Sequence, residues 1–244
     1  MHIIKLDATD STNAFIRRSL LSKGLADYTV VAARRQERGR GQMGTKWLSE
    51  AGKNLTFSVF RKNLDLPVRK GFVLNLCVSL SLYNALKRYS VPKLRIKWPN
   101  DILSGTSKIC GILIENSLLG SKIHTSIIGI GLNVNQTIFE GLPNVSSLKL
   151  LLGETLDLDV LLRDVVDELQ SMFSEFEEKG QEQLWDAYEN VLFGIGECFT
   201  FEDKNGMAFK GLIKGVNKDG QLIIGREDGS LEEFGMKEVK LLYS

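Results

Sequence analysis

Apolar residues recur with two different periods along the chain, and the changes of period outline its elements. Tyr28 to Ala33, Asn54 to Phe60 and Leu94 to Trp98 are short runs rich in β-branched and aromatic residues, which predicts strands. Ile109 to Glu115 and His124 to Ile130 flank Leu119-Gly120-Ser121 and predict a hairpin. Between them, Asp10 or Ser11 is placed to cap a helix running to about Ser22, and Val68 to Tyr89 is long enough for a helix across one sheet face. Val160, Leu161, Val165, Leu169, Met172, Phe173 and Phe176 repeat at helical spacing with acids between them, which predicts a core-facing stripe. After Phe193 the texture changes. Gly196, Asn205-Gly206, Gly215, Asp219-Gly220 and Asp228-Gly229 punctuate short strands, the mark of consecutive hairpins. The pattern therefore predicts an α+β fold in two domains, residues 1–193 with strands and helices and residues 194–244 as a small β-barrel.

Composition narrows the classes of function. The 244 residues carry 31 basic and 30 acidic side chains, so bulk nucleic-acid binding through a basic face is not expected and anion recognition must rest on local charge. The opening MHIIKLDATDSTN lacks the apolar core and cleavage site of a secretory signal, which predicts a cytoplasmic protein. Phe72 to Leu86 is interrupted by Asn75, Ser79, Ser81 and Asn84 and falls short of a bilayer span, so a buried helix is expected and no membrane role. Cys77, Cys110 and Cys198 are distant and odd in number, which suits reduced core thiols. With His2 and His124 as the only histidines, a His-rich metal site or a Ser-His-Asp triad has little material.

Candidate chemistry begins in Arg34 to Trp47, RRQERGRGQMGTKW, where cations, three glycines and an aromatic lie between apolar runs. Glycine lets backbone N–H groups approach an anion and arginine adds forked donors, so this loop suits a phosphate; an exposed hairpin tip with solvated charges is the plain alternative. Gly39, Gly41 and Gly44 match the dinucleotide-binding spacing, but Trp47-Leu48-Ser49-Glu50-Ala51-Gly52 reads as turn rather than helix, which argues against a nicotinamide-dependent dehydrogenase. A Walker loop fails too, because Thr45-Lys46 reverses the required order. Lys97-Trp98-Pro99-Asn100-Asp101 follows a strand, and Pro99 stiffens the turn that presents Asn100 and Asp101. Lys108 opens an apolar strand in which Gly111 permits close approach, and Gly129-Ile130-Gly131-Leu132-Asn133-Val134-Asn135 ends another with glycines and amides.

In this order the pieces Asp10-Ser11-Thr12-Asn13, GRGxxGxxW, KWPND, Lys-x-x-Gly-Ile-Leu and GxGxN resemble the catalytic region of biotin protein ligases, over about Asp10 to Asn135. The resemblance implies a class II synthetase-like mixed sheet flanked by helices, then an SH3-type barrel. It also implies ATP-dependent formation of biotinyl-adenylate and transfer to a lysine of a biotin carboxyl carrier protein. With the Ser-Thr-Asn start so near Met1, the chain is similar to the short form without a DNA-binding domain, and a homodimer through an exposed sheet edge is expected at family level. Carried over by motif, Lys108 and Arg40 are the catalytic pair. Ser11, Thr12, Asn13, Gln36, Gly39, Arg40, Gly41, Gln42, Lys108, Gly111 and Leu113 would hold biotin. Arg40, Trp47, Lys97, Asn100, Lys108 and Asn133 would hold ATP or the adenylate, and Asp101 would orient phosphates or magnesium, or else pin its turn.

The rivals are a lipoate or octanoate ligase, which shares fold and chemistry with different motifs, and a non-catalytic biotin sensor. Two departures from the commoner GRGRxGRxW form remove positive charge: Gln42 stands where arginine is frequent, and Thr45 replaces a second one. Weaker retention of the adenylate is expected unless Arg34, Arg35, Arg38 or Lys46 compensates.

Overall fold

The computed structural model describes residues 2–22 and 24–242, so the outermost limits of the two expected domains, residues 1 and 244, lie outside the described residues. Strands β1 (His2–Thr9), β2 (Thr29–Gln36), β3 (Leu55–Pro67), β4 (Leu94–Lys97), β5 (Asp101–Ser104), β6 (Ser107–Leu119) and β7 (Lys122–Leu132) build one seven-stranded sheet in the order β1-β2-β3-β7-β6-β5-β4. The first pair is parallel and the rest antiparallel, so the sheet is mixed.

Side chains alternate between its two faces, as the period of a strand requires. On one face Phe57, Val59, Ile112, Ile128 and Ile130 join a continuous core with helices α2 (Phe72–Arg88) and α4 (Leu158–Lys179). On the other, Val31, Phe60 and Ile127 pack on Ile16 of α1 (Thr12–Ser22). The remaining helices are α3 (Leu148–Leu152) and α5 (Glu182–Val191). Their ends follow local chemistry. Ser11 Oγ accepts the Ala14 N–H at the start of α1, and Asp157 caps α4 through the Asp159 and Val160 N–H groups. Gly180, with φ of 83°, ends α4.

A second, five-stranded sheet follows: β8 (Cys198–Asp203), β9 (Ala208–Val216), β10 (Leu222–Gly225), β11 (Leu231–Phe234) and β12 (Val239–Leu242), ordered β11-β10-β9-β8-β12. Among the described residues β11 and β12 are its edges, so it is an antiparallel sheet without the closure expected of a barrel. Trp98 Nε1 donates to the Gly220 carbonyl at 2.8 Å, and Gly220 rests against the Phe72 ring where a Cβ would collide. These contacts seat the β9–β10 turn of the second sheet against α2 and the turn between β4 and β5.

Three expectations change. The segment from Val68 is a 3-10 turn before α2 begins at Phe72. Val160 is 47% exposed, because at about 100° per residue it points nearly opposite to the buried stripe of Leu161, Leu162, Val165, Val166, Leu169, Met172 and Phe173. Cys198 is exposed at the start of β8 rather than in the core; Cys77 and Cys110 are buried, and burial pushes the Cys77 thiol up to about 12.

Candidate active site

A cavity lined by many polar groups lies on the α1 face of the central sheet, over a stretch where β6 and β7 carry glycines. Gly111 of β6 and Gly131 of β7 are cross-strand partners, and Gly129 lies opposite Leu113. Together they form a bare floor. The Trp47 indole lies on it, so close that a Cβ at Gly131 would collide with the ring, and Asn13 occupies the space over Gly129 in the same way.

The basic glycine loop folds over this floor as a small hairpin. Gly41 N–H donates to the Thr45 carbonyl at 2.7 Å, Trp47 N–H to the Gly39 carbonyl at 3.0 Å, and Arg40 pairs with Lys46. A Cβ at Gly39 or Gly41 would strike the opposite arm, so these glycines serve the loop's own closure. The tip is a 3-10 turn, Gln42–Gly44, which Thr45 Oγ1 fastens by donating to the Gln42 carbonyl at 2.8 Å. Arg40, Thr45 and Lys46 are exposed on this hairpin, and together with Gly41, Gln42 and Trp47 they line one cavity with Lys108.

The start of α1 closes one end of that cavity. Gln36 Oε1 accepts the Thr12 N–H at 2.8 Å, Ser58 Oγ lies 2.6 Å from Thr12 Oγ1 and 2.5 Å from Asn13 Oδ1, and Asn13 Nδ2 donates to Glu115 at 2.8 Å. Buried polar groups in such a chain hold one another in fixed orientation. The Arg18 guanidinium, bonded to both oxygens of Asp10, holds that carboxyl well below its usual range, and Asp10 Oδ1 in turn accepts the Ser11 N–H.

At the other end Lys108 Nζ lies 2.6 Å from Asp101 Oδ1 and 5.8 Å from the Trp47 ring centre. The Lys108 backbone is gripped from both sides, its N–H by the Asn144 carbonyl and its carbonyl by the Ser146 N–H. Behind it Cys110 is fully buried, and that burial pushes its thiol far up, which disfavours the thiolate. Arg40, Lys46, Lys108 and Lys237 face Asp101 as the single carboxylate, so the cavity is net positive.

Most of the residues singled out in the sequence meet here: Ser11, Thr12, Asn13, Gln36, Arg40, Gly41, Gln42, Trp47, Asn100, Asp101, Lys108, Gly111 and Leu113 line the cavity. Three do not. Gly39 lies behind the loop against Trp47, and Lys97 lines a second cavity that shares Gln42, Asp101 and Lys237 with the first. Asn133 is buried beyond Gly131, its Nδ2 donating to the Ser146 carbonyl while Oδ1 has no partner. Asn100 lines the wall but spends its amide on the Ile112 carbonyl at 2.5 Å, which makes it a strand pin. Phe57, Ile130 and Lys237 were not singled out as site residues. Alternation along β3 and β7 marks the first two as sheet residues, but nothing local marks Lys237.

The profile of the biotin/lipoate A/B protein ligase family matches residues 6–133, more than half of the chain. The chain belongs to that family. Among its relatives, the biotin--[acetyl-CoA-carboxylase] ligase of Paracoccus denitrificans is 38% identical over 135 residues, 53% of this chain and 53% of that protein. The bifunctional ligase/repressor BirA of Bacillus subtilis is 28% identical over 237 residues, 93% of this chain and 70% of its own length. In structure the chain is similar to the biotin protein ligase from Aquifex aeolicus in complex with biotin and ATP, with a TM-score of 0.82, 28% identity and coverage of 100% and 99%. The matched segment supplies every residue that lines the cavity except Lys237.

Proposed function

We propose that this protein is a biotin protein ligase that activates biotin with ATP and transfers it to a lysine of a biotin carboxyl carrier protein. The observation that carries the reading is the convergence of Arg40 and Lys108, from separate segments, on one cavity with a glycine floor. In the first step a biotin carboxylate oxygen attacks the α-phosphorus of ATP. A P–O bond forms, the bond to the β-phosphate oxygen breaks, and pyrophosphate leaves with the electron pair. Two anions must touch for this to happen. At about 4 Å and an effective dielectric near 20, each pair of unit charges repels by roughly 4 kcal/mol, so preplaced cations are the main requirement. Lys108 serves both the carboxylate and the α-phosphate, and Arg40 closes over the adenylate. In the second step the carrier lysine, as a free amine, attacks the acyl carbon, AMP departs and the amine loses its proton. No nucleophile of the protein takes part.

Ser11, Thr12 and Gln36 suit the ureido end of biotin, with Asn13 fixing α1 behind them, and Gly111 and Leu113 form the wall. The indole of Trp47 covers adenine, while Asn133, buried outside the cavity, would reach the adenine edge only if the strand end moved. The relatives' names support biotin over lipoate. Magnesium arrives with ATP in this reading, since Mg²⁺ on a nucleotide takes most of its oxygens from phosphates and water. Among the described residues no group of three ligating side chains forms a cage, and Asp101, held by Lys108, is the one carboxylate in reach.

Residues 1–193 act as the catalytic domain and 194–244 as a second domain of SH3-like curl. A homodimer would pair through β1, which lies at the open edge of the large sheet. DNA and membrane have no part in the reaction, for which the cytoplasm is the expected compartment. The test is biotin-dependent exchange of labelled pyrophosphate into ATP. Exchange with biotin is expected, falling roughly a hundred- to thousand-fold in Lys108→Ala. Exchange with lipoate and not biotin would hand the protein to the rival chemistry, and binding of biotin without any exchange would make it a sensor.

A further inference from the structure

The wall between the two cavities is built of Gln42, Asp101 and Lys237. Gln42 and Asp101 come from the catalytic segment. Lys237 comes from the second sheet, in the turn between β11 and β12, about a hundred residues beyond the part that matches the family profile. That turn is shaped to present it. Glu238 N–H donates to the Gly235 carbonyl, Gly235 N–H donates to the Glu238 carboxylate at 2.7 Å, and Lys237 itself takes a left-handed φ of 65°. The Trp98 to Gly220 bond ties the KWPND turn to the second sheet, which carries Lys237.

The second cavity continues from this wall between the two sheets, with Lys97, Lys204 and Lys240 around it against Glu202 and Asp203. The glycine loop offers Gln42 at the junction, so the cation on the wall has to come from elsewhere. We propose that Lys237 receives the β- and γ-phosphates of ATP, and the pyrophosphate they become, as they pass from the first cavity toward the inter-sheet cavity. The second sheet is then part of the adenylation site, and Lys237 is a binding residue for the leaving group. This rests on the ligase reading for its reaction, but ATP binding alone can be measured without it.

The experiment compares wild type with Lys237→Asn and Lys237→Arg. Asparagine removes the charge yet tolerates left-handed backbone, so the turn is kept. ATP affinity by titration calorimetry, and the KM for pyrophosphate in the exchange reaction, are expected to weaken about ten-fold or more in Lys237→Asn, the loss of one charge-assisted contact. Biotin affinity without ATP stays at the wild-type value, Lys237→Arg keeps ATP affinity within about two-fold, and the gap between wild type and Lys237→Asn narrows as salt is raised, since screening weakens an exposed cation. Unchanged ATP affinity in Lys237→Asn overturns the assignment. Equal losses of biotin and ATP affinity, or an Arg variant as impaired as the Asn one, also overturn it by showing a structural role. Absence of exchange in wild type with ATP still bound would sink the ligase reading and leave the Lys237 comparison intact.

Discussion

The two faces of the central sheet are made by the same strands and do opposite things. Even-numbered positions of β6 and β7, Ile112, Ile114, Ile128 and Ile130, fill the space under the helices. Odd-numbered ones, Gly111, Gly129 and Gly131, leave a floor on which Trp47, Asn13 and the end of the Lys108 side chain lie. One face derives its stability from side chains that are present, the other its chemistry from side chains that are absent. The comparison breaks most sharply at two positions of β7. Gly131→Val should displace the Trp47 indole and lower the rate of pyrophosphate exchange a hundred-fold or more, about what a 1 Å misplacement costs, with the urea midpoint little changed. Ile128→Ala should do the reverse, costing about 2–5 kcal/mol of unfolding free energy while exchange per folded molecule persists. If both variants lose stability equally, the faces are not separate.

The helix-packed face was the easier to read. Its strands, α2 and the stripe of α4 all follow from period, and the departure at Val160 comes from extending that stripe past the angle it covers. The site was legible wherever chemistry sits inside one motif: the glycine loop, the KWPND turn, Lys108 and the Ser-Thr-Asn cap all converge. What was not legible depends on register or on distance along the chain. Lys97 pairs with Asp101 across β4 and β5, yet faces the second cavity. Asn133 is pulled inward by the Ser146 carbonyl, and Ser58 reads as an ordinary strand serine until α1 folds over it. The glycines of the loop were read for their approach to an anion, whereas they first allow the loop to close on itself.

A finer test lies within the loop that covers the bare floor. Of the four expected substitutes for the missing arginines, Arg34 pairs with Asp7 at 3.6 Å and Arg35 with Glu37 at 3.2 Å, and Lys46 alone lines the cavity. One cation in place of two should retain the adenylate weakly. Gln42→Arg is therefore expected to slow release of biotinyl-adenylate by about ten-fold, the lower end of what a charge-assisted bond contributes. Rapid-quench measurement of release from wild type and variant decides it, and equal rates would mean that charge at the loop tip does not hold the intermediate.

The smallest effect concerns how the polar face keeps α1 in position. Asp10 is bonded to Arg18 and to the Ser11 N–H, and its carboxyl is held well below the unfolded value of 3.8. A group whose folded pKa is depressed contributes stability that is complete above the unfolded value and is lost as pH falls through the folded one. Asp10→Asn should therefore lower the urea midpoint slightly at neutral pH, by an amount limited because the Arg18 side chain is 57% exposed and the pair is screened. The gap to wild type should shrink only in the acid range below about pH 4, as the wild-type carboxyl takes up its proton. Equal midpoints of wild type and Asp10→Asn at neutral pH would instead assign the anchor to the hydrogen bond with Ser11, which asparagine can still accept, and not to the charge on Asp10.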